Sequence, residues 1–183
     1  MKPVTLSDGV ISLRPWRDSD LDAAVEICQD AEIVRWTRVP SPYGEENGRQ
    51  FLEQAQRSFE SGTEYSFAVV EAPDGALIGS ISVKIVAGGV GEVGYFVGGG
   101  LRRRGIGKRA VKLISRWALE DLGLVRLQIT VLSDNVASQR LAESAGYRRE
   151  GVLRSWLEIK GVRSDAVMHS LLPGDIDRGS GDE

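Results

Sequence analysis

The sequence predicts a single domain of mixed α+β structure, in which a twisted, mostly antiparallel sheet of about seven strands carries helices on both faces. A chain of 183 residues, of which 42% are hydrophobic and 27% charged, is long enough to bury a core of ordinary size. Three segments of alternating hydrophobicity, separated by turns rich in glycine and proline, predict an antiparallel meander. The later succession of strand, helix, strand, helix and two strands predicts the mixed part of the sheet. We place the domain at residues 1–174 and a flexible tail at residues 175–183.

The first half of the chain predicts two helices and the meander. A strand at residues 10–14 ends at Pro15, because proline cannot donate to a strand ladder. A helix begins at residues 18–20 and runs through Cys28, whose position on the apolar face places the thiol in the core. Residues 31–43 predict an irregular segment, which either lies over the mouth of a site or serves packing alone. The remaining elements are a helix from Gly44 or Glu45 to about Glu60 and strands at residues 65–71, 77–86 and 92–97.

The second half predicts the strand–helix alternation. A glycine- and arginine-rich turn at residues 98–107 leads into an amphipathic helix that ends near Leu122, before Gly123. The elements that follow are a strand at residues 125–132, a helix that begins at Asn135, and a hairpin of strands at residues 152–159 and 162–172. We expect residues 173–183 to be frayed.

The composition argues against several classes of function. A net charge of −3 gives no general reason to bind nucleic acid or an anionic membrane. The single cysteine excludes an internal disulfide, and the single histidine, His169, argues against a metal site or a Ser/His/Asp triad, so we expect no metal. Because no run of about 18 apolar residues occurs, we expect a cytoplasmic protein that does not cross a membrane.

The turn at residues 102–108 has the properties of an anion site. The helix that follows it has cations in its first turn and anions in its last turn, which is the reverse of what the helix dipole favours. No Ser, Thr, Asp or Asn stands at the expected N-cap. A phosphate would satisfy the first backbone N–H groups, the arginines would supply positive charge, and the glycines would let an oxygen reach the backbone.

Two of three known phosphate motifs fit this turn poorly. A Walker A loop requires glycine five positions before Gly107, where Arg102 stands, so that motif is excluded. A dinucleotide fingerprint is met by Gly105, Gly107 and Ala110, with Asp134 as its acidic partner. This alternative stays open, although about ninety residues precede the motif and three arginines occupy the place of its tight turn.

The third motif is Arg102-x-x-Gly105-x-Gly107, which follows the strand Glu92-Val93-Gly94-Tyr95 and precedes an Asn135-x-x-Ser138 helix. With this combination, residues 8–172 resemble the GNAT (GCN5-related) N-acetyltransferases. Residues 138–147, 149–154 and 161–172 are similar to the branch that acetylates the N termini of ribosomal proteins (RimJ/RimL-like). One departure is Gly98-Gly99-Gly100, which stands where that branch usually has a proline-containing turn.

The resemblance implies acetyl-CoA as the co-substrate. Its pyrophosphate would lie on the arginine- and glycine-rich turn, and its pantetheine arm would lie beside the backbone of the preceding strand. The cofactor-binding residues implied in this way are Tyr95, Phe96, Val97, Arg102, Arg103, Arg104, Gly105, Ile106, Gly107, Lys108, Asn135 and Ser138. For Asn135, helix capping alone is the alternative role.

Acetyl transfer to an amine requires a base for the amine, and the leaving thiolate gains from an acid. Glu92 is the candidate base, acting directly or through a water, because it points away from Val93 and Tyr95 in an alternating strand and the resembled family often carries an acid there. Ser138 resembles the family serine near the sulfur of CoA and is the candidate acid. Tyr147 is an alternative acid, although its position favours a buried aromatic.

The acceptor is predicted to be a primary amine, with a protein N-terminal α-amine as the first choice. At pH 7 an α-amine costs roughly 1 kcal/mol to deprotonate, whereas a lysine amine costs about 4.6 kcal/mol. We expect the N-terminal helices and the hairpin at residues 154–163 to shape the acceptor side. A small-molecule amine (polyamine, antibiotic or amino acid) and a noncatalytic acyl-CoA-binding module remain open alternatives. Relatives in the family are often dimers, so a homodimer is a further expectation.

Overall fold

The computed structural model describes residues 4–176 as one mixed sheet flanked by helices. Short 3-10 turns at Asp18–Asp20 and Gly99–Leu101 precede two of the helices. The elements in chain order are β1 (Leu6–Ser7), β2 (Ile11–Arg14), α1 (Leu21–Ile27), α2 (Ala31–Trp36), α3 (Glu45–Ser61), β3 (Glu64–Glu71), β4 (Leu77–Ala87), β5 (Val90–Val97), α4 (Ile106–Glu120), β6 (Arg126–Leu132), α5 (Val136–Ser144), β7 (Arg148–Ile159), β8 (Val162–Leu171) and α6 (Pro173–Ile176).

The sheet has the order β1-β2-β3-β4-β5-β6-β8-β7. Its strand pairs are antiparallel except for β5 and β6, which are parallel. The predicted fold class is therefore confirmed, with eight strands in place of about seven because the two-residue β1 adds an edge. The chain passes from β5 to β6 through α4, as a parallel pair requires.

The main core lies between α4 and one face of the sheet. Helix α4 buries Ile106, Val111, Ile114 and Trp117, which recur at helical spacing and pack on the sheet side chains. Trp117 packs edge-on against Tyr65 and Phe67 of β3, with ring centroids 5.3 Å apart in both pairs. This packing fixes the direction in which the N-terminus of α4 points.

The opposite face of the sheet is covered over β3 and β4 by α1 and α3, which also pack on each other. Arg14 of β2 anchors the start of α1 through two hydrogen bonds of 2.7 Å to the carboxylate of Asp20. Both side chains are buried, so the pair holds the turn before α1 firmly against the sheet. None of the described helices has the length and apolar character needed to span a membrane.

The structure differs from the predicted elements at four places. Residues 31–43 are not irregular throughout, because the carboxylate of Asp30 accepts hydrogen bonds from the N–H groups of Glu32 and Ile33 and thereby starts α2. Strand β1 was not expected, and β7 begins four residues earlier than predicted. Residues 173–176, which were expected to be frayed, form α6. The rest of the predicted tail, residues 177–183, lies outside the described residues.

Candidate active site

A wedge-shaped opening in the sheet lies between β5 and β6. The two strands pair only where Val90, Gly91 and Glu92 meet Arg126, Leu127 and Gln128. Beyond Glu92, β5 stays paired with β4 as far as Val97, and β6 stays paired with β8 as far as Leu132. The ladder hydrogen bonds between β5 and β6 therefore stop at Glu92, and the facing edges of residues 93–97 are left open along the cleft.

The predicted anion turn lies at the wide end of this opening. Gly105 is the N-cap of α4, and no side chain caps the helix. Its φ of 77° lies in the left-handed region, which explains why glycine is needed there. The side chains of Arg103, Arg104 and Lys108 are exposed around these uncapped N–H groups. Free donors, positive charge and an exposed approach thus come together, as a bound phosphate requires.

Arg102 and Gly107 differ from the other residues of the turn, because each makes contacts that hold the structure together. Arg102 donates from Nη2 to Asp30 at 2.6 Å and from Nε to the carbonyl of Val97 at 3.2 Å, so it ties the turn to α2 and β5. Ile106 and Gly107 are buried. A Cβ on Gly107 would lie 2.6 Å from Leu141 Cδ1, so this glycine permits close packing of α4 on α5.

Tyr95 and Ser138 meet across the opening. Their hydroxyl groups share a hydrogen bond of 2.8 Å, which joins β5 to α5. Burial raises the pKa of Tyr95 to about 12, against the opposing effect of the hydrogen bond to Ser138, so the phenol is protonated at neutral pH. Asn135 fixes the position of Ser138, because its Oδ1 accepts from the backbone N–H of Ser138 at 3.1 Å and caps α5.

Glu92 occupies the last paired position before the strands separate. Val93, Tyr95 and Val97 belong to the core beneath α4, so the alternation of the strand turns Glu92, Gly94 and Phe96 to the opposite face. Glu92 is half-buried, and its cross-strand neighbours are Lys84 on β4 and Gln128 on β6. Within residues 4–176 its carboxylate forms no ion pair or hydrogen bond. Gly94 leaves the backbone beside it open, since a Cβ there would meet only Ser82 Oγ, at 3.9 Å.

Two walls flank this face of the opening. Helix α2 is held on one side by Arg102 through Asp30, as described above. At its other end, the carbonyl of Val34 accepts a hydrogen bond of 2.5 Å from Lys160 Nζ at the tip of the β7–β8 hairpin. Helix α2 and the hairpin therefore meet in front of the sheet, on the side where the acceptor was expected.

Three residues that might have carried chemistry are structural. Tyr147 is buried and its hydroxyl shares a 2.7 Å hydrogen bond with Ser115, away from Ser138. His169 is fully buried, and burial lowers its pKa despite the opposing influence of Glu143. Cys28 is buried and its pKa is raised to about 11, mainly by burial, so its thiol is unreactive. In the described part of the chain, no group of three or more His, Cys, Asp or Glu residues is placed to hold a metal ion.

Sequence reasoning missed the side-chain contact of Tyr95 and the role of Asp30. The partner of Tyr95 lies 43 residues further along the chain, so no local pattern reveals it. For Asp30 a signal existed, because an aspartate two residues before a glutamate at the start of an apolar-periodic stretch is an N-cap pattern. Of the two roles considered for Asn135, the structure shows the cap of α5, and its contact with a cofactor stays a prediction.

The comparisons with known proteins agree with this geometry. A family model described as an acetyltransferase (GNAT) domain matches residues 11–148. A Bacillus subtilis protein named "Probable N-acetyltransferase YjcK" is 32% identical over 141 residues, which cover 75% of this chain and 78% of that protein.

Solved structures share the fold at lower identity. Mycobacterium smegmatis RimJ in complex with CoA-disulfide aligns with a TM-score of 0.84 at 20% identity, over 97% of this chain and 91% of that one. The Microcin C7 self-immunity acetyltransferase MccE, in complex with acetyl-CoA and AMP, aligns with a TM-score of 0.81 at 20% identity, over 91% of this chain and 93% of that one. At these identities the likeness extends to the fold alone.

Proposed function

Because the chain belongs to the GNAT family of acetyl-CoA-dependent N-acetyltransferases, we propose that it acetylates the N-terminal α-amine of a protein or peptide. One observation carries the proposal: β5 and β6 separate directly after Glu92, and an uncapped, arginine-flanked helix N-terminus stands at the wide end of the gap. That arrangement offers one place for a phosphorylated co-substrate at the wide end and, at the narrow end, one unpaired carboxylate for an amine.

In this proposal the pyrophosphate of acetyl-CoA binds to the backbone N–H groups at the start of α4, with Arg103, Arg104 and Lys108 around it. Their exposure leaves them free to turn toward a phosphate. Arg102 acts by holding the turn in place, because Asp30 and Val97 already bind its guanidinium group. The open edge of β5 at residues 95–97 offers its backbone to the pantetheine arm, which brings the acetyl group as a reactive thioester.

Glu92 is proposed to accept the proton of the amine, directly or through a water. The carboxylate is half-buried on the acceptor face and beside the open surface of Gly94. About a tenth of an α-amine with a pKa of about 8 is already neutral at pH 7, so Glu92 need not be a strong base. A lysine side chain would demand about 3 to 4 kcal/mol more, which favours the α-amine.

The Tyr95–Ser138 pair is proposed to supply the proton for the leaving thiolate. Ser138 stands at the opening, and the protonated Tyr95 phenol lies behind it at 2.8 Å. A proton that leaves Ser138 Oγ for the thiolate is replaced from the Tyr95 phenol along the same hydrogen bond, and the phenolate then regains a proton from solvent. Asn135 holds Ser138 in position by capping α5. A thiol with a pKa near 8.5 is a good leaving group, so the gain from this acid is modest.

A protein or peptide acceptor is supported by the surroundings of the opening. Helix α2 and the β7–β8 hairpin meet through Lys160 and Val34, so both lie where they can contact an acceptor that approaches the opening. Two solved structures that share the fold, the ribosomal-protein-S5-alanine acetyltransferase of Vibrio fischeri and the RimL L7/L12 alpha-N-protein acetyltransferase, are named for a protein acceptor and support the proposal.

The test uses two peptides of one sequence that contains an internal lysine. One peptide has a free N terminus and the other has its N terminus blocked, and mass spectrometry locates any acetyl group added from acetyl-CoA. We expect the free peptide to be acetylated at its α-amine and the blocked peptide to remain unchanged. Acetylation of lysine in both peptides would overturn the proposal. Binding of acetyl-CoA without acetylation of either peptide would favour a small-molecule acceptor or a noncatalytic module.

A further inference from the structure

A cavity of about 380 Å³ lies on the acceptor face, next to the opening. Residues of α1, the segment between α2 and α3, and α3 form its walls, while Leu77, Gly79 and Phe96 of β4 and β5 form its floor. Ligand sites for small molecules span roughly 300–1,000 Å³, so this cavity lies near the small end of that range and has room for the largest apolar side chains.

The surface of the cavity is apolar. The aromatic side chains of Trp16, Tyr43, Phe51 and Phe96 line it together with Ile27 and the buried Cys28. Trp16 and Phe51 pack edge-on with ring centroids 5.1 Å apart, which gives the wall a fixed shape.

The polar atoms around the cavity are mostly committed elsewhere. The indole N–H of Trp16 donates to Ser66 Oγ at 3.1 Å. The amide nitrogen of Gln50 donates to Glu46 Oε1 at 2.7 Å, and that of Gln54 donates to Ser58 Oγ at 2.8 Å. An occupant therefore finds few hydrogen-bond partners inside, and burial of apolar surface is the main source of affinity.

The charge around the cavity narrows the class of occupant. No Asp or Glu stands among its lining residues in the described part of the chain, and Arg38 at the exposed rim is the charged member. A cationic side chain would meet a like charge and no carboxylate, which is unfavourable. An anionic side chain that passed the rim would lose its hydration to apolar walls, which is unfavourable. The same argument disfavours polyamine and aminoglycoside acceptors.

The position of the cavity links it to the reacting amine. Phe96 lies two residues from Gly94 on the same face of β5, about 7 Å along the strand. Glycine at position 79 lets β4 and β5 pack closely beneath the cavity, since a Cβ there would lie 2.4 Å from the carbonyl oxygen of Phe96. An α-amine held over Gly94 beside Glu92 thus places the side chain of its own residue at the entrance of the cavity.

We propose that this cavity receives the first side chain of the acceptor and that the enzyme selects N termini beginning with a bulky apolar residue. The proposal rests on the α-amine acetylation argued above and adds a specificity for the first residue of the acceptor. A large aromatic or branched aliphatic side chain buries its apolar surface against these walls, whereas alanine or serine reaches little of them.

The test measures kcat/KM for five peptides that differ only in the first residue: phenylalanine, leucine, alanine, aspartate and lysine. We expect phenylalanine and leucine to exceed alanine by roughly tenfold or more, and aspartate and lysine to be poorest. Alanine equal to or above phenylalanine would overturn the specificity while leaving α-amine acetylation intact. Acetylation of none of the peptides would remove the proposed function and this inference with it.

A pair of variants on α1 tests the cavity itself. Ala24→Leu places a larger side chain in the cavity, because Ala24 is buried and lines it. Ala23→Leu makes the same change one residue away, at a position outside the lining. We expect the ratio of kcat/KM for phenylalanine over alanine to fall toward one in Ala24→Leu and to persist in Ala23→Leu. The ratio is unaffected by a fraction of misfolded protein, and an unchanged ratio in Ala24→Leu would contradict the assignment.

Discussion

The contact between Asp30 and Arg102 joins the co-substrate side of the site to the acceptor side, and its removal should affect both. Asp30 caps α2, and Arg102 belongs to the turn before α4, so a single carboxylate holds the two segments together. The change Asp30→Asn keeps an oxygen for the cap but removes the charge. Asp30→Ala removes both.

The expected magnitude follows from the exposure of the pair. The side chains of Arg102 and Asp30 are 35% and 22% exposed, and the contact distance is 2.6 Å. Exposed ion pairs contribute about 0.2–1 kcal/mol, and hydrogen bonds to charged groups about 1.5–3 kcal/mol. For a partly screened pair we expect a coupling free energy of about 1 kcal/mol. Loss of the cap in Asp30→Ala should cost about 1 kcal/mol more.

The pH dependence has a defined sign. Burial alone would raise the pKa of Asp30, but the hydrogen bonds from Arg102, Ile33 and Glu32 hold it below its ordinary value. The unfolded chain therefore takes up a proton at higher pH than the folded chain does. The contribution of the pair is present above about pH 4 and is lost as the pH falls through the folded-state pKa.

The assay is a double-mutant cycle of Asp30→Asn and Arg102→Gln, measured by urea unfolding at pH 7 and by calorimetric titration with acetyl-CoA. We expect a coupling of about 1 kcal/mol, and a rise of up to about fivefold in the Kd of acetyl-CoA as the turn loosens. The exposed pair of Glu53 and Arg57 within α3 serves as the control, with an expected coupling of at most about 0.3–0.5 kcal/mol. A coupling below about 0.3 kcal/mol, with an unchanged Kd, would refute the linking role.

Three other predictions concern the chemistry and the core. Glu92→Gln should lower kcat by roughly 10² or more, with little effect on acetyl-CoA affinity. The loss of kcat should shrink as the pH approaches the amine pKa, because the amine then needs no base. A loss of kcat that is independent of pH would indicate that Glu92 only positions the amine. Tyr95→Phe and Ser138→Ala should each lower kcat. If the two hydroxyls act as one relay, the double variant should have the same kcat as Ser138→Ala. Additive losses would show that the two hydroxyls act independently. Burial lowers the pKa of His169, so the free energy of unfolding should fall as the pH drops below about 6.5, and a flatter curve in His169→Gln would be the check.

Much of the fold could be predicted because its signals are local. The helix of Ile106–Glu120 repeats apolar residues at helical spacing, and the meander alternates between turns rich in glycine and proline. The missing cap before this helix was visible in the sequence, and the structure places Gly105 at the N-cap with no capping side chain. The order of β7 and β8 within the sheet was not predictable, because either strand of a hairpin can pair with β6.

The parts of the site that escaped prediction depend on contacts between distant residues. Tyr95 meets Ser138 across 43 positions, and Arg102 meets Asp30 across 72. Glycines were read as places for a phosphate to approach, whereas Gly107 makes room for Leu141 of the neighbouring helix. The apolar cavity has contributors from α1, α3 and two strands, so its existence is a property of the packing. The homodimer and the boundary of the domain stay predictions.

The most direct test of the account is the affinity for acetyl-CoA when the exposed arginines at the start of α4 are removed. Calorimetric titration would compare the wild type with Arg103→Ala/Arg104→Ala and with Arg116→Ala, an exposed arginine further along the same helix. We predict micromolar binding by the wild type and the Arg116 variant, and at least roughly tenfold weaker binding by the double variant, since each charged contact contributes about 1.5 kcal/mol or more. Equal affinity in all three proteins would contradict the placement of the pyrophosphate at the N-terminus of α4.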